Sequence, residues 1–207
     1  MSTVIENYTK QLSPFLPNGT AEYVAQLIKN NKTSFKISKK RKTKLGDYRM
    51  PYQGKGHRIS VNGDLNEYAF LITTLHEFAH LKAFTKYGSR IKPHGQEWKM
   101  MFMDLFQPIL DLNILPKDVD LALNKYLKNA RASSCTDDAL YRVLKRYDSG
   151  SGMLVEHLNL GDRFKLNNIT FEKGKKLRKY YLCRNLDNNR QYRVLGVAEI
   201  EKQLIDE

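Results

Sequence analysis

The residues best suited to chemistry in this chain of 207 residues lie in one stretch, His76-Glu77-Phe78-Ala79-His80. In a helix, two histidines four residues apart lie on the same face, so both imidazoles can reach one metal ion. Zinc binds imidazole nitrogens at about 2.0–2.1 Å and lowers the pKa of a bound water to about 7. Glu77 is not needed as a ligand and can accept the proton of that water. The pattern predicts a hydrolytic zinc site with His76 and His80 as ligands and Glu77 as catalytic base.

A third ligand is expected downstream, at His94. Thirteen residues separate His80 from His94, enough to end one helix, turn, and bring the next helix back beside the metal. A water would then complete a tetrahedral site with one open position. Glu97, about one helical turn later, is the alternative third ligand, because sites with this motif can take a glutamate from a later helix. The position of His94 at a junction between loop and helix favours His94.

The metal motif requires a helix, and its flanks predict one over residues 65–87. Apolar residues recur at three- and four-residue steps, and Gly88 can adopt the left-handed conformation that ends helices. Asp64 and Glu67 have the spacing of a capping box at its start. We expect one face of this helix to be packed and the histidine face to turn toward a cleft.

Periodicity and turn residues predict further elements on both sides of this helix. The other helices are expected at residues 4–12, 20–28, 93–106, 117–129 and 137–144. Strands are expected at residues 33–38, 42–49, 57–61, 162–166, 169–171, 177–184 and 191–199, with a hairpin turn at 187–189. The Ser-Gly-rich stretch 148–152 is typical of a linker.

These residues resemble a known family. The metal motif, His94-Gly95-x-x-Trp98, and the upstream segments Arg41-x-Thr43-x-x-Gly46-x-Tyr48 and Ile59-Ser60-Val61-Asn62 are similar to the signature of SprT-like zinc metallopeptidases. That group includes the Spartan proteases, which act on DNA–protein crosslinks. The resemblance covers roughly residues 1–110. It implies a zincin-like fold, one catalytic Zn²⁺ bound by three histidines, and a protein or peptide substrate.

The C-terminal part departs from this family. Many members end in a zinc ribbon with paired Cys-x-x-Cys motifs, but this chain has two cysteines, Cys135 and Cys183, which are too few for a four-thiolate site. We therefore expect an α+β protein in three parts. A SprT-like zincin metallopeptidase domain spans residues 1–147, a linker spans 148–152, and a β-rich, basic, metal-free appendage spans 153–207.

The formal net charge of +13 indicates a polyanionic partner, because a strongly basic surface attracts nucleic acid. One basic cluster precedes the metal helix, and a second, interleaved with tyrosines, lies in the appendage. Candidate nucleic-acid contacts are Lys39, Lys40, Arg41, Lys42, Lys175, Lys176, Arg178 and Lys179. The alternative interpretation of each cluster is a solvated set of charges that protects strand edges from aggregation.

Two classes of function remain open, and a third possibility is another zinc hydrolase, such as an amidase or a peptidase specific for one partner. The first is a zinc metallopeptidase, with DNA-associated proteins among its substrates; the second is a nucleic-acid-binding protein in which zinc is structural and no bond is cut. The first residues lack the apolar run of a signal peptide, and no stretch has the 18 or so apolar residues of a membrane span. We expect a cytoplasmic protein without a membrane partner.

Overall fold

Helices form most of the first part of the chain, and strands form most of the last part. A computed structural model describes residues 3–41, 43–128, 137–150 and 152–204. Contacts divide the chain into two compact units, Met1–Asp148 and Ser149–Glu207. The mixture of helices and sheets is the α+β class that the sequence predicts.

In the first unit, helices surround a small sheet. A short 3₁₀ helix, Ser13–Phe15, follows the first α-helix. The described helices and strands, in chain order, are α1 (Thr3–Leu12), α2 (Ala21–Asn30), β1 (Ser34–Ser38), β2 (Gly46–Arg49), β3 (Arg58–Asn62), α3 (Glu67–Tyr87), α4 (Gln96–Asp111), α5 (Lys117–Lys128) and α6 (Asp138–Lys145). The strand predicted over residues 42–49 thus begins at Gly46.

The three strands form a sheet in the order β1-β3-β2. β1 is parallel to β3, whereas β2 runs antiparallel to β3 and places Tyr48 opposite Ile59. Ile59 and Val61 of β3 are buried. β2 lies at one edge of this sheet and contacts α3, which places its backbone beside the helix that carries the histidine motif.

α3 is buried on nearly all sides. Phe70, Leu71, Ile72 and Leu75 are at most 1% exposed, and the first three, being consecutive, lie on more than one helix face. The sheet and α4 both contact the helix. The prediction of a single packed face was therefore wrong, because α3 is the central helix of its unit. In the described part of the chain, no helix is both long and apolar enough to cross a membrane.

The start of α3 also differs from the prediction. Asn66, not Asp64, is the N-cap: its side-chain oxygen accepts a hydrogen bond from the Ala69 amide at 3.0 Å. The Asn66 amide group donates to the Leu144 carbonyl at 2.9 Å and to Asp148 at 2.7 Å. These contacts with the end of α6 make Asn66 the better cap. Gly88, with φ of 77°, ends the helix as predicted.

The second unit is an antiparallel β structure preceded by a short 3₁₀ helix, Val155–His157. Its strands are β4 (Arg163–Leu166), β5 (Ile169–Glu172), β6 (Lys176–Leu177), β7 (Tyr180–Asn185), β8 (Gln191–Leu195) and β9 (Lys202–Leu204). The single strand predicted over residues 177–184 is two strands, because the chain reverses at Arg178 and Lys179. The strand predicted over 191–199 ends at Leu195, and β9 was not predicted. Phe164, Phe171 and Cys183 lie in the core of this unit.

Candidate metal centre

Three imidazoles converge in the first unit. His76 and His80 lie on α3, and His94 lies in the loop that precedes α4. The Nε2 atom of His76 is 3.2 Å from Nε2 of His80 and 3.1 Å from Nε2 of His94. The structure therefore brings the three predicted ligand residues together with the same ring nitrogen facing a common point.

This arrangement fits a metal ion. Two metal–nitrogen bonds of about 2.0–2.1 Å at a tetrahedral angle place their nitrogens about 3.3–3.4 Å apart, close to the observed spacing. Among the described residues, no carboxylate or thiolate joins the three imidazoles in the group that could hold an ion. Glu97, the alternative ligand, is not a member of that group. The cluster can thus hold a metal ion through three imidazoles and leave further coordination positions open.

The loop before α4 aims His94 at the other two histidines. His94 has a φ of 60°, in the left-handed region that residues with a side chain rarely adopt. The Gly95 amide donates to the Lys92 carbonyl at 2.9 Å and closes the turn around it. Such a conformation costs on the order of 1 kcal/mol, and here it lies at a residue whose ring joins the cluster. Sequence periodicity cannot reveal this feature, because it depends on the turn geometry.

Trp98 forms an apolar wall behind the cluster. Its ring centroid lies 4.7 Å from that of His76, 5.4 Å from His80 and 4.8 Å from His94, and the residue is fully buried. Phe102 stacks on the other side of Trp98 at 4.7 Å. His76 Nδ1 is buried without a hydrogen-bond partner in the described part of the chain, so packing orients this ring.

Burial keeps the imidazoles neutral at physiological pH. Burial, together with the neighbouring His80 and His94, lowers the pKa of His76 to about 2. Burial also lowers the pKa of His80 to about 4, with His94 adding to the shift, and it lowers the pKa of His94. A neutral imidazole has a free lone pair, which is the form that binds a metal.

Glu77 is buried against the edge strand β2. Burial and, to a smaller extent, the nearby Asp47 raise the pKa of its carboxyl group to about 7. A hydrogen bond from the Tyr48 backbone amide and the charges of Arg41 and Lys44 act in the opposite direction. A carboxyl group with a pKa near neutrality can both accept and release a proton at physiological pH.

Tyr48 and His57 are residues of this region to which the sequence analysis assigned no role. The Tyr48 hydroxyl is 3.0 Å from Nδ1 of His57, and the Tyr48 ring lies parallel to His80 with centroids 6.5 Å apart. His57 also packs edge-on against Phe84 of α3. Tyr48 and Gly46 belong to the upstream segment that resembles the SprT-like signature, which is the one sequence signal that marks them.

The described residues of the first basic cluster do not all face outward. Lys39 and Lys40 are exposed, and Nζ of Lys40 lies 3.6 Å from Oδ2 of Asp64. Arg41 instead points inward: its guanidinium donates to Asn62 at 2.7 Å and to Ser60 at 2.9 Å. Lys42 lies outside the described residues.

The second basic cluster lies on the second unit. Its four candidate contact residues, Lys175, Lys176, Arg178 and Lys179, are all exposed. Lys179 lies over the ring of Tyr180 at 5.4 Å. Lys173, which belongs to the same run of charges, is buried and donates to the carbonyls of Glu156 and Leu158, so it cannot contribute to a surface. Cys183 is buried as a free thiol, and Cys135 lies outside the described residues.

Comparison with known proteins places this site in a family. The family model described as the SprT-like family matches residues 9–114, which are 106 of the 207 residues and include the three histidines, Glu77 and the edge strand. No curated protein and no solved structure matches the chain. The resemblance found in the sequence is thereby confirmed. This chain belongs to the SprT-like family.

Proposed function

We propose that this protein is a zinc-dependent metallopeptidase with a zincin-like catalytic domain. The observation that carries the proposal is the convergence of the Nε2 atoms of His76, His80 and His94, with the carboxylate of Glu77 on the same helix. Three protein ligands and an open position are typical of catalytic zinc, whereas structural zinc is closed by four protein ligands. Membership of the SprT-like family supports the same class of function.

Zinc is the metal that this donor set favours. Imidazole nitrogen suits zinc, and a tetrahedral arrangement of few ligands suits it better than calcium or magnesium, which prefer oxygen ligands. When bound, zinc would supply a Lewis acid that polarises the scissile carbonyl and acidifies a water. His76, His80 and His94 would hold the ion, and Trp98 would keep their rings in place.

Glu77 moves the proton in the proposed reaction. Its carboxylate accepts a proton from the attacking water and delivers it to the nitrogen of the leaving amine, so that the peptide bond is replaced by an acid and an amine. The pKa of about 7 that burial gives this group suits both transfers. The amide of Tyr48 donates to the same carboxylate and limits its rotation.

The edge strand β2 is the proposed site for the substrate backbone. β2 lies at one end of the sheet order, and β3 occupies one side of it, so an extended peptide can add to the other side. Such pairing would bring the substrate past Glu77, which contacts β2. A substrate analogue carrying a photoreactive group should crosslink to residues 46–49; crosslinks confined to other segments would reject this placement.

The decisive experiment compares wild type with Glu77→Gln. Each is loaded with zinc and incubated with an unfolded protein and with a basic DNA-binding protein, with and without single-stranded DNA. Glu77→Gln keeps a similar shape without a proton acceptor, so we expect zinc content to be unchanged and hydrolysis to fall by about 10²-fold or more. Equal hydrolysis by both proteins would reject Glu77 as the base.

We also propose that the second unit contacts nucleic acid, which would bring DNA-associated proteins to the catalytic domain. The register of β7 and β8 places Tyr180 opposite Leu195 and Leu182 opposite Arg193 on one face. Exposed Arg193 and Lys179 border this face, and such mixtures of rings and charges suit base stacking and phosphate contacts. If single-stranded DNA does not bind at low salt, this part of the proposal fails while the peptidase proposal remains.

A further inference from the structure

The carboxylate of Glu77 lies where a side chain at position 46 would be. A Cβ atom built on Gly46 would lie 2.8 Å from Cγ of Glu77, would be closer still to its Oε1 atom, and would lie 2.8 Å from Cγ2 of Thr73. Real Cβ atoms do not make contacts this short. Position 46 therefore accepts no side chain unless Glu77 or Thr73 moves.

The lack of room for a Cβ atom, and not the backbone conformation, explains why position 46 is a glycine. The glycines with positive φ in the described part of the chain are Gly19, Gly54, Gly88 and Gly161, and Gly46 is not among them. Gly46 lies in the ordinary strand β2, where glycine weakens a strand unless another group approaches closely. Here the group that approaches is a buried carboxylate.

A hydrogen-bond network keeps the backbone of Gly46 at this distance. Asn62, which is 1% exposed, donates from its side chain to the carbonyls of Arg41 and Lys44, both at 3.2 Å. The backbone amide of Asn62 donates to the Leu45 carbonyl at 2.8 Å, and the Arg41 guanidinium donates to the same carbonyl at 3.3 Å. The residue just before Gly46 is thus bound by Asn62 of β3 and by Arg41, whose guanidinium also donates to Ser60 of β3.

We propose that Gly46 is a positioning residue for the catalytic carboxylate, and that the network around Arg41 and Asn62 holds it in place. The role rests on the proposed function of Glu77 as base. The backbone of Gly46 approaches the Glu77 side chain closely, and the Tyr48 amide donates to its carboxylate, so β2 contacts this side chain at two points. Arg41, which the sequence analysis assigned to nucleic acid, acts in this network.

Gly46→Ala tests the proposal, and Gly56→Ala is its matched control. Gly56 lies in the loop after β2, has no positive φ, and an added Cβ there would have one neighbour within 4 Å, the Lys32 carbonyl at 3.9 Å. We expect Gly46→Ala to lower kcat by about 10²-fold, since a displacement of about 1 Å can cost that much. KM and zinc content should stay within about twofold, and Gly56→Ala should match wild type.

Two second-site changes identify the group that the new methyl displaces. Glu77→Asp shortens the carboxylate by one methylene, so adding it to Gly46→Ala should cost far less activity than it costs wild type. Thr73→Ser removes only the Cγ2 methyl and should leave the Gly46→Ala defect in place. Full recovery with Thr73→Ser, or equal losses from Glu77→Asp in both backgrounds, would overturn the proposal.

A double-mutant cycle measured by Tm tests the contact between position 46 and Glu77 without any assay of hydrolysis. The fall in Tm caused by Gly46→Ala should be smaller by about 2–4 °C or more when Glu77 is alanine, because the methyl then no longer meets the glutamate side chain and has only Thr73 to displace. Equal falls in both backgrounds would overturn the proposal. A wild type that hydrolyses nothing would reject the proposed function, and the Tm cycle would still decide whether Gly46 positions Glu77.

Discussion

Three uncharged imidazoles facing one point would be a poor arrangement for stability alone. Burial lowers the pKa of all three, so they do not gain from charge, and Nδ1 of His76 lacks a hydrogen-bond partner in the described structure. An unpaired buried polar atom costs about 1–3 kcal/mol, and the left-handed backbone at His94 adds to this cost. A metal ion would turn the Nε2 lone pairs of the three rings, which face one another at 3.1–3.2 Å, into ligands. The residues are therefore arranged for binding and not for packing.

At this scale, Trp98 should matter for metal affinity beyond its part in the core. Trp98→Leu removes the ring that contacts all three histidines. We expect a loss of about 1–3 kcal/mol in the free energy of unfolding and a decrease in zinc affinity of about tenfold. Urea denaturation and competition with a chelating dye measure the two effects.

Phe106→Leu is the control for that experiment. Phe106 is equally buried in α4 and packs on Phe102 at 5.0 Å, one ring further from the histidines. Phe106→Leu should lower the free energy of unfolding about as much as Trp98→Leu does and leave zinc affinity within about twofold of wild type. Equal effects of the two substitutions on affinity would show that Trp98 contributes to the core alone.

At the scale of elements, local sequence patterns predicted most of what local interactions decide. The helix that carries the metal motif, the turn to His94 and most strands of the second unit follow from periodicity and turn residues. What the patterns missed depends on contacts distant in sequence. The approach of Gly46 to Glu77 and the inward orientation of Arg41 both require the sheet to be assembled, and neither leaves a periodic signal.

The cap of α3 shows this difference in one residue. Asp64 and Glu67 have the spacing of a capping box, yet Asn66 is the cap, and its side-chain amide group also donates to the Leu144 carbonyl of α6 and to Asp148 just after α6. A local pattern cannot include a partner about 80 residues away. The helix that holds the metal ligands is thus fixed at its start by the last helix of its unit.

We expect Asn66→Ala to lower the free energy of unfolding by about 1–2 kcal/mol, since it removes the cap and the two hydrogen bonds to Leu144 and Asp148. Asp64→Ala is the control, because the one ion pair of Asp64 among the described residues is with exposed Lys40 at 3.6 Å and should contribute little. Urea denaturation of both variants measures the difference. A larger loss of unfolding free energy from Asp64→Ala would contradict this assignment and favour Asp64 as the cap, as the sequence predicted.

At the scale of the whole molecule, the charge of +13 requires an explanation that the metal site does not provide. Part of it is structural, since Arg41 and Lys173 bond within their own units. The exposed lysines and arginines of the second unit remain, and they border a face with tyrosine and leucine. Steering of a polyanion toward this unit is the role that such a distribution favours.

The prediction is a salt-dependent affinity for single-stranded DNA that the second unit determines. Lys176→Glu with Lys179→Glu should weaken binding at least about tenfold at 0.1 M salt and make the slope of log K against log salt shallower by about 1.4, at about 0.7 per phosphate contact. Fluorescence anisotropy at several salt concentrations measures both quantities.

Lys10→Glu with Lys29→Glu makes the same change in net charge on exposed residues of the first unit. If binding follows net charge alone, this control will weaken DNA binding as much as the first pair does. We expect it to have a much smaller effect.

The most direct test of the account is the metal content of the purified protein and of its histidine variants. We predict close to one zinc per chain in wild type and in Glu77→Gln, and less than about a tenth of that in His76→Ala and in His94→Ala, with each protein folded by circular dichroism. Full zinc content in His94→Ala, or wild type that binds no divalent ion at micromolar concentration, would contradict the three-histidine site.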